Sequence, residues 1–135
     1  MYLSDSEKTL SVEEMDSFNA LFNNDLPDSF KDFFLKDNGG YPIDNEEGNI
    51  FMLGGFNPIK YGDLPIEVIY QDLTESFAEL KDMVPFAYDE GGNSFLLSLK
   101  KEDDSFGRVF VFLMDEKELE EVADSFSDFI GELFA

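Results

Sequence analysis

The side chains in this sequence that could do chemistry are carboxylates: 31 Asp and Glu, with no His and no Cys. Without His and Cys, the usual nucleophile–base pairs, the usual zinc ligands and the best proton-transfer group near neutral pH are all missing. Two carboxylates suffice for glycoside hydrolysis, but with 31 present, finding a pair selects nothing. Asp44-Asn45-Glu46-Glu47-Gly48 resembles part of a calcium loop. It lacks the ligand at the loop's twelfth position and the usual Asp/Asn alternation, so it reads as a solvated acidic loop. Asn38-Gly39-Gly40 and Gly91-Gly92-Asn93 lack the Lys and the strand–loop–helix setting of a phosphate loop, and read as turns. No catalytic residue, metal or cofactor is implied.

Binding chemistry is better supplied. Nine basic residues face the 31 acidic ones, a net charge of −22. Residues 1–48 hold 12 acidic and 3 basic residues (net −9), residues 49–101 hold 8 and 4 (net −4), and residues 102–135 hold 11 and 2 (net −9). The middle is nearest neutral, as a buried sheet would be. Such a charge repels nucleic acid and anionic membrane. Two readings stay open: solubility, including adaptation to a salty cytoplasm, or a basic protein partner. Tyr41 and Tyr88 flank the two glycine turns. Packing is the default role for each, but Tyr is also enriched at interface hot spots.

The elements that must position these groups follow from spacing. Ser11 and Glu14 form a capping box, each satisfying a free backbone N–H. Val12, Met15, Phe18, Leu21 and Phe22 then recur at helical spacing, predicting a helix over 12–23. Leu26-Pro27-Asp28 starts a second helix with Phe30, Phe33 and Phe34 as its stripe. Asn38-Gly39-Gly40 ends it, with glycine in the left-handed conformation of a helix terminus. Tyr41 to Gly48 is a polar loop. Asn49 to Phe56 reads as a strand whose two glycines imply a bulge or a close backbone approach. Residues 57–65 are turn-rich and 67–81 helical. Strands are predicted at 84–88, 94–99 and 107–114, joined by the turns Glu90–Asn93 and Lys100–Phe106. The last strand is apolar on both faces, with Val109, Val111 and Leu113 on one and Phe110, Phe112 and Met114 on the other. A charged linker at 115–121 precedes a helix capped by Asp124 or Ser125. Its stripe of Phe126, Phe129, Ile130 and Leu133 is expected to face the sheet near Phe110 or Phe112. The order α-α-β-α-β-β-β-α gives an α+β fold, a mainly antiparallel sheet flanked by helices.

The length of 135 residues fits one domain, 1–135. Sixteen Phe and no Trp supply a core with few buried polar groups to satisfy. Without Cys there is no disulfide. The first twenty residues show no basic start followed by an apolar run, and no stretch approaches the ~20 apolar residues of a membrane span. A cytoplasmic location is expected.

Four segments carry a family resemblance: LPDSFKDFFLKDNGG (Leu26 to Gly40), VPFAYDEGGNSFLLSL (Val84 to Leu99), FGRVFVFLMDE (Phe106 to Glu116) and VADSFSDFIGEL (Val122 to Leu133). In this order, over about residues 11–134, they resemble the SUKH superfamily. That superfamily includes yeast Smi/Knr-type cell-wall regulators and many bacterial immunity proteins. The third segment departs from the pattern, since Phe112-Leu113-Met114-Asp115 stands where the family often has an aromatic residue and a His. The departure concerns a polar contact, not the fold. The resemblance implies an α+β scaffold without catalytic residues. For an acidic bacterial member it implies immunity against a polymorphic toxin, often a nuclease.

A nuclease toxin is basic where it holds phosphates, so carboxylates on a rigid frame would occupy that region. The expected partner is a basic toxin domain, neither nucleic acid nor membrane. The expected contact residues are Asp37, Tyr41, Asp44, Glu46, Glu47, Tyr88, Asp89, Glu90, Asp103 and Asp104, with 116–121 as a second patch. The rival is a regulatory protein-binding scaffold. A carboxylate-based hydrolase is a third, weaker reading. Crowded carboxylates also repel one another, and salt screens them with a Debye length of about 8 Å at physiological ionic strength. Moderate NaCl should therefore raise the thermal midpoint of the isolated protein. A midpoint that stays flat or falls between low and physiological salt would show the charges to be already compensated.

Overall fold

Local signals set the helices. In the computed structural model, which describes residues 3–43 and 51–134, the Ser11–Glu14 capping box is complete. Ser11 N–H donates to Glu14 Oε1 at 2.9 Å and Glu14 N–H to Ser11 Oγ at 3.1 Å. It opens α1 (Val12–Ala20), which buries Met15 and Phe18. Phe22, just beyond, is buried too, whereas Val12 and Leu21 are exposed. Pro27 precedes α2 (Asp28–Lys36), which buries Phe30 and Phe34. Helix α3 (Ile66–Ser76) is followed by a 3-10 turn at Ala78–Leu80, so the single helix expected over 67–81 breaks at Phe77. Ser125 caps α4 (Phe126–Leu133), its Oγ accepting from Asp128 N–H at 3.0 Å.

The strands are β1 (Leu3–Ser4), β2 (Tyr41–Pro42), β3 (Leu53–Phe56), β4 (Met83–Asp89), β5 (Ser94–Ser98), β6 (Val109–Leu113) and β7 (Glu118–Ala123). Strands β3 to β7 form one antiparallel sheet in sequence order, and β1 pairs antiparallel with β2 in a separate ribbon. The fold is α+β with an antiparallel sheet, as expected. Three strands were not anticipated. Two-residue pairings such as β1 and β2 carry no periodicity, and Tyr41 lies in a strand rather than a loop. The segment read as a charged linker contains the edge strand β7, which needs only one buried face and tolerates Glu118, Glu120 and Glu121 facing water. The strand expected from Asn49 starts at Leu53, since Phe51 lies in a turn and Met52 has a φ of 51°; residues 44–50 lie outside the described residues.

Alternation along the strands divides the interior. Phe95, Leu97, Val109 and Val111 join the larger cluster with the stripes of α1, α2 and α4. Leu96 and Phe112 point the other way, to Leu80 and Met83, with Leu73, Phe77 and Phe110 around them. The sheet is thus covered on both faces, as the two-sided pattern of β6 requires. The closing helix lies on the face opposite the one expected. Phe129 stacks on Phe51 at 4.4 Å and meets Phe86 and Phe95 at 5.3 and 5.4 Å, away from Phe110 and Phe112. A period of two defines two faces but does not say which helix covers which.

Gly39 and Gly40 also act differently from a helix cap. Helix α2 ends at Lys36 with Asp37 extended, and the glycines follow with φ of 75° and 118°. A Cβ on Gly39 would lie 2.8 Å from Pro58 N, and one on Gly40 2.5 Å from Ser4 O. They let three backbone segments converge. Pro85 pairs with Leu96 of β5, and the β4–β5 register shifts between Pro85 and Ala87. Its carbonyl accepts from Asn57 Nδ2 at 3.0 Å, on the side where β3 has already ended.

Phe129 is fully buried against three rings, so Phe129→Ala should cost about 3–5 kcal/mol. Urea unfolding measures it. A loss no larger than that of the half-buried Phe110→Ala would overturn this account of the core.

Candidate functional site

The glycines of β3 decide where the two tyrosines sit. Gly55 pairs with Tyr88 of β4, and the register slips between Leu53 and Gly55. A Cβ on Gly54 would lie 2.7 Å from Tyr88 Cε2. One on Gly55 would lie 2.6 Å from the Tyr88 hydroxyl and 3.2 Å from Tyr41 Cδ1. The Tyr88 ring therefore lies over bare backbone, with Tyr41 beside it. Tyr41 is placed by the bridge just before it, where Gly40 N–H donates to Phe56 O at 3.1 Å and Phe56 N–H to Gly40 O at 2.7 Å. Burial, then the neighbouring Tyr41, pushes the Tyr88 phenol above its ordinary value. Tyr41 keeps 50% of its surface exposed.

These rings wall a cleft of about 500 Å³. Phe56, Pro58, Leu64 and Ile69 supply its apolar lining, and Asp5, Glu7 and Asp63 its carboxylates. Among the described residues no Lys or Arg lines it. None of those three carboxylates forms an ion pair among the described residues. Leu64 is 53% exposed, although it is a large apolar side chain. Glu7 approaches because Gly62 has no side chain there, and a Cβ would lie 3.1 Å from the Glu7 carboxyl carbon.

The loop carrying Asp63 and Leu64 is tied at several points. Asn38 Nδ2 donates to Ile59 O at 2.9 Å and Ile59 N–H to Asn38 Oδ1 at 2.7 Å. Ile66 N–H donates to Pro58 O at 2.8 Å. Glu14 accepts a hydrogen bond from the Tyr61 hydroxyl and pairs with Lys60 Nζ at 2.7 Å. The Lys60 ammonium, then the Ser11 N–H, then the Tyr61 hydroxyl hold the Glu14 carboxyl down to about 2.

The residues expected to form the contact surface do not all converge. Tyr41 and Tyr88 share the cleft. Asp89 and Glu90 lie at the same end of the sheet, where Asp89 pairs with Leu53 and Glu90 N–H donates to Met52 O at 2.9 Å. The Asp89 carboxylate is engaged in its own turn, accepting from Gly91 N–H, Asn93 N–H and Asn93 Nδ2 at 2.9, 2.9 and 3.0 Å. Asp37 is buried and lines a different groove, between α2 and α4, with Phe33 and Ile130. Asp103 and Asp104 sit in the β5–β6 turn, at the far end of the sheet from the β4–β5 turn, as alternate hairpins of a meander must. Asp103 accepts from Ser105 N–H at 2.8 Å and from its hydroxyl; the hydroxyl, then the N–H, lower its pKa. Asp44, Glu46 and Glu47 lie outside the described residues. The patch at 116–121 falls largely on β7, where Arg108 pairs with Glu121 at 3.1 Å. Asp5, Glu7, Asp63, Leu64 and Ile69 were missed. As isolated residues they carry no motif, and the turn-rich composition of 57–65 was a signal for Asp63 and Leu64 alone.

Among the described residues no group of three acidic side chains could hold a metal ion, and no helix is long and apolar enough to cross a membrane. The molecule is an α+β protein with a tyrosine-walled, carboxylate-lined cleft. The chain belongs to the SMI1 / KNR4 family (SUKH-1), whose model matches residues 9–132. No curated protein matches it.

The Glu14 tie has a pH signature. Its folded-state value lies below the ordinary 4.5, so its stabilisation is complete above 4.5 and is lost as pH falls through about 2. The Glu14 carboxyl carbon, followed by NMR, should titrate near the lower value. Lys60→Met should move that midpoint up and loosen the loop around Asp63. An unmoved midpoint would show that Lys60 does not hold it.

Proposed function

We propose that this protein is an immunity protein that binds a basic toxin domain, of nuclease type, and neutralises it by occlusion without catalysis. The observation that carries this reading is the Tyr41–Tyr88 cleft, which joins aromatic walls to three carboxylates that form no ion pair among the described residues. The half-exposed Tyr41 and the partly buried Tyr88, next to apolar side chains, supply contact area at low entropic cost. A net charge of −22 speeds the approach of a basic partner. Membership of a family that takes in immunity proteins agrees with it. Glu90 and the unpaired carboxylates around the cleft form the rim of the proposed interface. Asp103, Asp104 and the β7 glutamates face elsewhere and contribute mainly to the long-range field. The protein acts in the cytoplasm as a single domain, away from nucleic acid and membrane.

The family description favours a second reading, a regulatory protein-binding scaffold of the Smi/Knr type. That reading needs the same cleft but no toxin. Co-expression with the toxin domain encoded beside its gene separates the two. Immunity requires rescue of growth and a stable complex in which the protein is chemically unchanged. Association should slow steeply as salt rises while dissociation changes less. Reversing Glu7 and Asp63 together to Lys should slow association further. Salt-independent association would reject the electrostatic mechanism, and failure to rescue would reject immunity against that toxin, leaving the scaffold.

A further inference from the structure

The cleft is more specific than its charge. Its carboxylates are spaced around an apolar floor, with the Tyr41 and Tyr88 rings forming one wall over Gly54 and Gly55. A cation entering it meets tyrosine rings and carboxylates together, and among the described residues no Lys or Arg lines the cleft to repel it. Arginine suits this better than lysine. Its planar guanidinium stacks on aromatic faces, forks onto carboxylates and is less strongly hydrated, whereas an ammonium is a compact, well-hydrated point charge. The apolar lining at Leu64 and Ile69 would cover the methylene stem.

Resting on the binding reading above, we propose that the Tyr41–Tyr88 cleft takes one arginine side chain of the protein partner as the anchor of the interface. The guanidinium lies against the tyrosines, within reach of Asp63 and Glu7. The remaining acidic surface contributes steering rather than discrimination.

The test uses the full chain and two capped tripeptides, Gly-Arg-Gly and Gly-Lys-Gly, followed by backbone and tyrosine-ring NMR shifts. The arginine peptide should shift Tyr41, Tyr88 and the Gly54–Gly55 amides, and bind about three- to fivefold tighter than the lysine peptide. Tyr41→Ala and Asp63→Asn, both at exposed positions, should each remove that preference while the thermal midpoint stays near the parent's. Equal binding of the two peptides would overturn the proposal, as would shifts spread evenly over the acidic surface or a preference that survives Tyr41→Ala. The outcome is separable from the toxin question. Arginine selectivity without rescue from the toxin rejects immunity and keeps the anchor. Rescue that is indifferent to Tyr41→Ala and Asp63→Asn keeps immunity and rejects the anchor.

Discussion

One buried amide holds the frame to which the cleft belongs. Asn38 is 1% exposed, and its side chain makes three hydrogen bonds to backbone, to Lys8 O and Ile59 O through Nδ2 and from Ile59 N–H through Oδ1. Its own carbonyl accepts from Glu7 N–H at 2.9 Å. The N-terminal lead-in, the end of α2 and the loop before α3 therefore meet at a single residue. An amide suits this because it donates and accepts at once, where Asp could only accept and Leu could do neither. Losing it would strand buried backbone groups at about 1–3 kcal/mol each. Gly39 and Gly40 follow because the segments that Asn38 gathers leave no room for Cβ. Asn57 repeats the device one layer in, donating to the carbonyls of Pro85 and Phe86 and fixing the same loop to β4. Glu7, Asp63 and Tyr41 all lie within a few residues of these ties.

The charge works against this frame, and some of the few basic residues are placed where they counter it. Lys60 holds Glu14 at the start of α1. Lys101 reaches Asp25 at 3.1 Å, and Arg108 joins β6 to Glu121 and to Asp124 just before α4. These pairs are mostly exposed and individually weak, but each links elements distant in sequence. Cation capacity committed to the scaffold is absent from the cleft, so the electrostatic bias of the site follows partly from where the lysines and Arg108 are used.

What was legible in the sequence was local. Ser11 and Glu14 are three residues apart, and a capping box depends on nothing further away. The α4 stripe and the two-sided pattern of β6 were readable because periodicity survives without knowledge of the partner. The close approach at Gly54–Gly55 was readable in kind, since two glycines in a strand need a reason, but the ring that approaches was not. Which face α4 covers depends on chain handedness and the other helices, about which a period of two is silent. The β7 edge strand hid because exposed edges favour charge, the same composition that marks a linker. Asp89 and Asp103 looked like interface carboxylates but are held by their own turns, a short-range option open to any Asp beside Gly, Ser or Asn. The acids of the cleft come from the lead-in and the pre-α3 loop, which only the long-range tie through Asn38 brings together.

That assembly bears on the two explanations of acidity with which the sequence began. Solubility alone asks for carboxylates anywhere on the surface. It gives no reason to leave Tyr41 and Leu64 about half exposed beside them, nor to weaken a strand with Gly54 and Gly55 so that Tyr88 can lie flat over it. Adaptation to salt has the same gap. A partner surface accounts for both features, because long-range charge can hasten an encounter but cannot choose among basic proteins. Selection needs shape and a desolvated contact, and the glycine–tyrosine wall supplies the shape. On the proposed reading, the acidic field is the general part of the recognition and the cleft the particular part. They share Asp5, Glu7 and Asp63, whereas carboxylates such as Asp103, Asp104 and the β7 glutamates can add only to the field.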